Sequence, residues 1–201
     1  MNVAIVDDDD AVLHSMRLLL ESRGLSVRCY NSAEKLLAEI GEHNPSCVVS
    51  DVKMPGLSGL QLQKELSSSQ ARIPLILITG HGDIAMAVNA IKEGAFDFIE
   101  KPFDDERLVR SIEQAVERSN RLRAAEGEIA ATHASFEELS PRQREVMNLV
   151  VQGFANKEIA RQLNLSPRTV ENYRAWVMEK MGAVNLADLV RKAMALGARL
   201  S

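Results

Sequence analysis

The chain alternates between short apolar runs and longer stretches in which apolar residues recur every three or four positions. Five runs of β-branched or aliphatic residues predict buried strands: Val3–Val6, Val27–Tyr30, Cys47–Ser50, Leu75–Ile78 and Phe96–Ile99. The stretches between them have helical periodicity: Ala11–Ser22, Ala33–Ile40, Gly59–Leu66, Ile84–Lys92 and one that begins at Asp105. Such alternation predicts a doubly wound α/β domain with a five-stranded parallel sheet.

The last third of the chain has no strand pattern. Ser140 precedes Pro141, and Gln143 stands three residues after Ser140, which is typical of a capped helix start. Ser166 precedes Pro167 in the same way and predicts a second capped start. The pattern predicts an all-α domain of four helices: Pro141–Gln152, Asn156–Leu163, Pro167–Met181 and Leu186–Leu196.

The segment between these two parts is charged, rich in alanine and free of proline. We therefore expect a helical continuation of the fifth helix rather than a loose tether, although Gly127 weakens the pattern. The predicted division is a first domain over residues 1–120, a linker over 121–136 and a second domain over 137–201.

Charge separates the two parts of the chain. Residues 1–136 carry 14 Lys and Arg against 21 Asp and Glu, whereas residues 137–201 carry 10 against 7. The two cysteines, Cys29 and Cys47, lie in strand-like runs and are expected to be buried free thiols. Without a leader-like start or an apolar run near about 18 residues, the protein is expected to be cytoplasmic, with no membrane partner.

Acidic and polar residues follow four of the predicted strands. Asp7 and Asp8 follow the first strand, Asp51 the third and Thr79 the fourth, while Lys101 comes after the fifth. The carboxyl ends of parallel strands meet at one edge, where ligands bind. Three neighbouring carboxylates repel one another unless they hold a cation, and Mg²⁺ suits oxygen ligands.

This set of groups also suits phosphoryl transfer. A carboxylate can act as the nucleophile while a metal ion and an ammonium neutralise the transferring oxygens, and Asp51 is the natural acceptor. A metal-dependent phosphatase with an aspartyl nucleophile is the enzyme alternative. Such enzymes carry a second aspartate two residues after the first, where this chain has Lys53.

The segments "VDDD", "SDVKMPGLSG", "ITG" and "FIEKPF" resemble the receiver domain of two-component response regulators. The resemblance implies a flavodoxin-like fold and phosphorylation of Asp51 by a histidine kinase. It implies that Asp7, Asp8, Asp51 and the Lys53 carbonyl hold Mg²⁺, and that Thr79 and Lys101 bind the phosphoryl oxygens. It further implies a cis Lys101–Pro102 bond and places Lys53 and His81 beside the route of attacking water.

A switch is also implied by this resemblance. Thr79 would move toward the phosphate while the aromatic side chain of Phe98 turns inward behind it. We expect this change to promote homodimerisation through residues around Val88, Ile91 and Phe96.

The stretch "NKEIARQLNLSPRTVENYRAWVMEKMG" predicts two helices joined by a tight turn, a helix-turn-helix arrangement. With "LSPRQREV" and "ADLVRKA", it resembles the LuxR-type DNA-binding domain of the NarL/FixJ class. The residues that the resemblance places toward DNA phosphates are Lys157, Arg168 and Thr169. Those it places toward base edges are Glu171, Asn172 and either Arg174 or Ala175.

Together these features predict a response regulator transcription factor rather than an enzyme. Its partners would be a cognate sensor histidine kinase, double-stranded promoter DNA, a second copy of the chain and RNA polymerase. The alternative is a phosphate-independent regulator with an atypical receiver, although Asp7, Asp8, Asp51, Thr79 and Lys101 are all in place.

Overall fold

The computed structural model describes residues 1–68, 72–80 and 84–197. The strands are β1 (Asn2–Val6), β2 (Ser26–Tyr30), β3 (Cys47–Asp51), β4 (Leu75–Thr79) and β5 (Asp97–Glu100). The helices are α1 (Asp10–Ser22), α2 (Ala33–His43), α3 (Gly59–Ser68), α4 (Ile84–Lys92), α5 (Asp105–Glu137), α6 (Pro141–Val151), α7 (Asn156–Leu163), α8 (Pro167–Lys180) and α9 (Leu186–Ala195).

The five strands form one parallel sheet in the order β2-β1-β3-β4-β5. Apolar residues of α1 and α5 cover one face, with Leu20 and Ile112 fully buried against it. Apolar residues of α2, α3 and α4 cover the other, including Leu36 and Leu62. This arrangement confirms the predicted doubly wound α/β fold, because a sheet covered on both faces needs apolar side chains on both sides of each strand.

The chain divides into two compact units, Met1–Arg121 and Leu122–Ser201, and the division falls within α5. The second unit is all-α, as predicted, and its core gathers side chains from α6, α7, α8 and α9 around Met147, Ile159 and Met181. No helix among the described residues is both long and apolar enough to cross a membrane.

Two helix starts in the second unit have the predicted capping chemistry. The Ser140 hydroxyl accepts a hydrogen bond from the Gln143 N–H, and Gln143 Oε1 accepts one from the Ser140 N–H at 2.9 Å. Ser166 caps α8 by accepting from the Thr169 N–H at 3.0 Å. Gln143 Oε1 also accepts a hydrogen bond from Lys180 Nζ at 3.2 Å, which ties the start of α6 to the end of α8.

The expectation of two buried thiols is wrong for Cys29. Cys47 is buried in the centre of the sheet, whereas Cys29 is exposed. The reason lies in the strand order, because β2 is an edge strand and the helices cover it incompletely. Both cysteines are free.

Candidate functional site

Four polar residues lie at the carboxyl edge of the sheet in the first unit. Asp51 ends β3 and Thr79 ends β4, while Asp7 and Lys101 directly follow β1 and β5. Since β1, β3, β4 and β5 are consecutive neighbours in a parallel sheet, their ends meet on one side. Residues that are far apart in the sequence are therefore brought to one place.

The Lys101 ammonium bridges two of the carboxylates. Lys101 Nζ donates to Asp51 Oδ1 at 2.8 Å and to Asp7 Oδ2 at 3.1 Å. The exposed fractions of the side chains are 29% for Lys101, 6% for Asp7 and 12% for Asp51, so all three are shielded from solvent. The site thus holds two carboxylates around a single cation.

The surroundings of Asp7 disfavour the charged form of its carboxyl group. Burial raises the pKa of Asp7, and this effect outweighs the hydrogen bonds from the Asp9 N–H and Lys101, while the charge of Asp51 raises the pKa further. For Lys101, burial acts to lower the pKa, but the two carboxylates reverse the effect and raise it. The Lys101 ammonium therefore stays charged, and its positive charge stabilises the two carboxylates.

The second carboxylate oxygen of Asp51 is bound by the loop that follows β3. The Lys53 N–H donates to Asp51 Oδ2 at 2.7 Å, while the side chain of Lys53 is exposed. Gly59 begins α3 against the backbone carbonyl of Asp51, where a Cβ atom would collide with that oxygen. The loop over residues 52–58 is thus anchored at both ends beside Asp51.

Glu34 holds this loop from α2, and sequence reasoning missed it. Glu34 Oε1 accepts a hydrogen bond from the Leu57 N–H at 2.8 Å. Gly56 has a φ of +74°, and a Cβ atom there would lie 2.6 Å from the same oxygen. Hydrogen bonds from its own N–H and from that of Leu57 lower the pKa of Glu34. In the sequence Glu34 is only an acidic residue in a first helical turn, so no signal identified it.

The donor chemistry of the edge fits a hard divalent ion. Asp7 and Asp51 already present carboxylate oxygens to one cation, and Asp8, the next residue in the chain after Asp7, is an exposed carboxylate. In the described ranges 1–68, 72–80 and 84–197, no group of three or more His, Cys, Asp or Glu side chains could hold a metal ion. The pair Asp7 and Asp51 is therefore the part of the predicted ligand set that the structure gathers.

Thr79 and Phe98, the two residues of the expected switch, lie on the neighbouring strands β4 and β5. Thr79 is 1% exposed, and its carbonyl accepts a hydrogen bond from the Lys101 N–H at 2.7 Å. Phe98 is half-buried on β5 and packs against the core of the α2–α3–α4 face. The Lys101–Pro102 bond is cis, as expected. His81 lies outside the described residues.

In the second unit, α8 presents an exposed polar face. The side chain of Arg168 is 84% exposed and lies 3.6 Å from a carboxylate oxygen of Glu171. Asn172 and Ala175 are also exposed, as is Lys157 in the first turn of α7. Five of the predicted DNA-contacting positions are thus open to a partner.

The other two predicted contacts already have partners inside the unit. The hydroxyl of Thr169 lies 2.8 Å from that of Ser166 at the start of α8. Arg174 is half-buried, and its Nη1 donates to Asn156 Oδ1 at 3.0 Å. Arg174 therefore joins α8 to α7, and of the two alternatives at the base-reading position, Ala175 lies on the exposed face.

Two protein families match the chain. The response regulator receiver domain matches residues 3–113, and the luxR family of bacterial regulatory proteins matches residues 137–193. Each match falls in one of the two compact units, on the residues that form the two candidate sites.

Relatives match along nearly the whole chain. Transcriptional regulatory protein FixJ of Bradyrhizobium diazoefficiens is 43% identical over 98% of this chain and 96% of its own. Among solved structures, the response regulator StyR has a TM-score of 0.83 and 36% identity, covering 96% of this chain and 98% of its own. Full-length FixJ from B. japonicum has a TM-score of 0.62 and 43% identity, covering 96% of each chain.

Proposed function

Because the chain belongs to the response regulators in which a LuxR-family DNA-binding domain follows a receiver domain, it is a transcriptional regulator of a two-component system, and we propose that phosphorylation of Asp51 controls its binding to promoter DNA. The observation that carries this proposal is the bridge from Lys101 to Asp7 and Asp51 at the sheet edge. The proposed domains are 1–120 and 137–201, with a linker over 121–136.

Asp51 is the proposed phosphoryl acceptor. A carboxylate oxygen of Asp51 attacks the phosphorus of a phosphohistidine on the sensor kinase, the phosphorus–nitrogen bond breaks, and an acyl phosphate forms. Lys101 neutralises charge on the transferring oxygens, because its ammonium already contacts Asp51 Oδ1. Thr79, at the end of the neighbouring strand, is proposed to donate its hydroxyl to the phosphoryl group.

Asp7, Asp8, Asp51 and the carbonyl of Lys53 are the proposed ligands of Mg²⁺. When bound, this ion supplies positive charge that offsets the charge of the phosphoryl oxygens. The raised pKa of Asp7 supports the assignment, since a buried carboxylate whose charged form is disfavoured gains most from a cation.

Phosphorylation is proposed to act through Thr79 and Phe98 on a dimer surface. Val88 and Ile91 on α4 are 44% and 47% exposed, and their spacing of three residues places them side by side on one face of the helix. Their exposure supports homodimerisation through α4, β5 and the first turns of α5.

In the second unit, the proposed contacts to DNA phosphates are Lys157, Arg168 and Thr169. Glu171, Asn172 and Arg174 are the proposed readers of base edges, with Ala175 as the alternative to Arg174. An asparagine side chain can form two hydrogen bonds with adenine and so distinguish it from other bases. A lysine or arginine that contacts a phosphate adds affinity but does not distinguish one base from another. RNA polymerase is a further proposed partner of the DNA-bound form.

Incubation with acetyl phosphate and Mg²⁺ tests the proposal. Intact mass and solution size are recorded for wild type, for Asp51→Asn and for Asp10→Asn, which changes an exposed aspartate at the start of α1. We expect one phosphoryl group and a larger species for wild type and Asp10→Asn only. A modified Asp51→Asn protein would place the phosphoryl group on another residue and contradict Asp51 as the acceptor. Wild type that stays unmodified with this donor and with a panel of histidine kinases would support the phosphate-independent alternative.

A further inference from the structure

Trp176 is an exposed aromatic residue on α8. It is the only tryptophan in the chain, and 47% of it is exposed. Other aromatic residues of the second unit, Phe136, Phe154 and Tyr173, pack against its core. Tryptophan is among the most buried residue types on average, so an indole that is half in water needs an explanation.

The indole continues the exposed face of α8. Arg168, Asn172 and Trp176 follow one another at spacings of four residues, which places them along one side of a helix. Eight residues at about 1.5 Å each put Trp176 roughly 12 Å along the helix from Arg168. Trp176 therefore extends the proposed DNA-contacting face by one turn.

Tyr173 holds the indole in a defined orientation. The two rings meet edge to face, with centroids 5.5 Å apart and planes at 84°. Tyr173 itself packs against the core of the unit. A ring held in this way loses little conformational freedom when it binds, so its contact costs little entropy.

Charge determines what such a contact can be. Arg168 and Lys157 bring exposed cations to one end of the face, where Glu171 lies 3.6 Å from Arg168. At the other end, Glu179 is an exposed acid one turn beyond Ala175, and the ammonium of Lys180 is already bound by Glu138 and Gln143. The second end of the face therefore suits apolar parts of a duplex better than its phosphates. Those parts are the C5-methyl groups of thymine and the carbons of deoxyribose.

We infer that Trp176 is a DNA contact, whose indole packs against thymine methyl groups or deoxyribose at the end of the site opposite Arg168. This inference rests on the proposed DNA binding by α8. It adds a contact that depends on apolar surface rather than on charge.

The fluorescence of the single tryptophan provides the first test. A labelled duplex, selected from a random-sequence library with the full-length chain in acetyl phosphate and Mg²⁺, is followed by anisotropy. Acrylamide quenching of Trp176 is measured in parallel. We expect quenching to fall at least two-fold as the DNA saturates. Binding by anisotropy without a change in quenching would overturn the inference and leave the proposed function intact. A selection that yields no bound duplex would overturn both.

Variants provide the second test. Trp176→Ala should weaken binding roughly ten-fold, because about half of an indole surface no longer leaves water. Trp176→Phe should recover most of this loss, and Leu122→Ala, which truncates an exposed side chain on α5, should bind as wild type does. Equal affinities of wild type and Trp176→Ala would overturn the inference.

Salt dependence distinguishes this contact from an ionic one. Trp176→Ala should leave the slope of log affinity against log salt unchanged, whereas Arg168→Ala should reduce its magnitude by about 1. Replacing each thymine of the duplex in turn by deoxyuridine, which lacks the C5-methyl group, identifies the DNA atoms that the indole contacts. A loss at one position in wild type but not in Trp176→Ala assigns the contact to a thymine methyl group, and equal binding assigns it to deoxyribose. A changed slope for Trp176→Ala would contradict the apolar contact.

Discussion

The carboxylate of Glu34 accepts a hydrogen bond from the backbone N–H of Leu57, 23 residues further along the chain. This bond joins the first turn of α2 to the loop that carries Lys53, whose own N–H binds Asp51. The conformation of the phosphoacceptor loop therefore depends on a side chain that lies outside the polar cluster.

Glu34→Ala is expected to slow phosphorylation of Asp51 by acetyl phosphate roughly ten-fold, because the loop would no longer be held in position. Glu34→Gln keeps an acceptor oxygen and should be intermediate. Initial rates of the change in intact mass give the measurement.

Glu42→Ala is the matched control for Glu34, because Glu42 is an exposed acid on the same helix. Its rate should equal that of wild type. Gly56→Ala should reproduce the slow rate, since its Cβ atom would displace the Glu34 carboxylate. Wild-type rates in both Glu34→Ala and Gly56→Ala would refute the positioning role.

Asp7→Asn is expected to stabilise the first unit in EDTA at pH 7.5. The folded-state pKa of Asp7 lies above its ordinary value, so the folded chain binds more protons between those two values and loses stability as pH rises through them. A neutral amide avoids this loss. We expect the melting temperature to rise by roughly 2–5 °C, and the difference to narrow as pH falls toward 4.

The control for Asp7 is Asp8→Asn, which changes an exposed neighbour and should leave the melting temperature in EDTA unchanged. Added Mg²⁺ should raise the melting temperature of wild type more than that of Asp7→Asn. If Asp7→Asn instead melts below wild type at pH 7.5, the cost assigned to the buried carboxylate is wrong.

Asp97 anchors α5 to β5. Arg107 and Ser111 donate to its carboxylate at 3.0 and 2.6 Å. Burial acts to raise the pKa of Asp97, but these bonds and one from the Phe98 N–H lower it overall. The carboxylate therefore contributes stability that is present above the ordinary pKa and is lost as pH falls through the lowered one.

Asp97→Asn should accordingly lower the free energy of unfolding by about 1–3 kcal/mol at pH 7, with the difference vanishing below the folded-state pKa of Asp97. Urea unfolding at several pH values provides the measurement. Glu106→Gln, which breaks an exposed pair with Arg110 on the same helix, should change the free energy by less than about 0.5 kcal/mol. A pH-independent loss in Asp97→Asn would show that its carboxylate charge is not the cause.

Ile91→Glu is expected to keep the phosphorylated protein monomeric. A charge in an apolar contact costs more than a ten-fold loss of affinity, so sedimentation of the phosphorylated variant should show one small species. Leu18→Glu, which changes an exposed apolar side chain on α1, should dimerise as wild type does. Dimerisation of phosphorylated Ile91→Glu would place the interface elsewhere.

The sequence predicted the features that depend on local pattern and on chain order. Strand periodicity located β1 and β3, and the rule that parallel strands end at one edge brought Asp7, Asp51 and Lys101 together before any distance was known. The helix bounds of the second unit followed from capping residues such as Ser140 and Ser166. The roles of these site residues stay predictions.

Features that depend on the path of a loop, on the order of strands across the sheet or on helix packing could not be predicted. Glu34 reaches Leu57 only because the loop after β3 turns back over α2. Cys29 is exposed because β2 lies at the sheet edge, and strand order has no local signal in the sequence. Arg174 has the spacing of a base reader, yet Asn156 holds it, a contact that depends on the packing of α7 on α8.

Gln143 caps α6 and also accepts a hydrogen bond from Lys180 near the end of α8. The last turn of α8 therefore cannot fray without loosening the first turn of α6, so the two ends should open together in amide hydrogen exchange. A residue outside α8 thus restrains the end of the helix that lies one turn beyond Trp176.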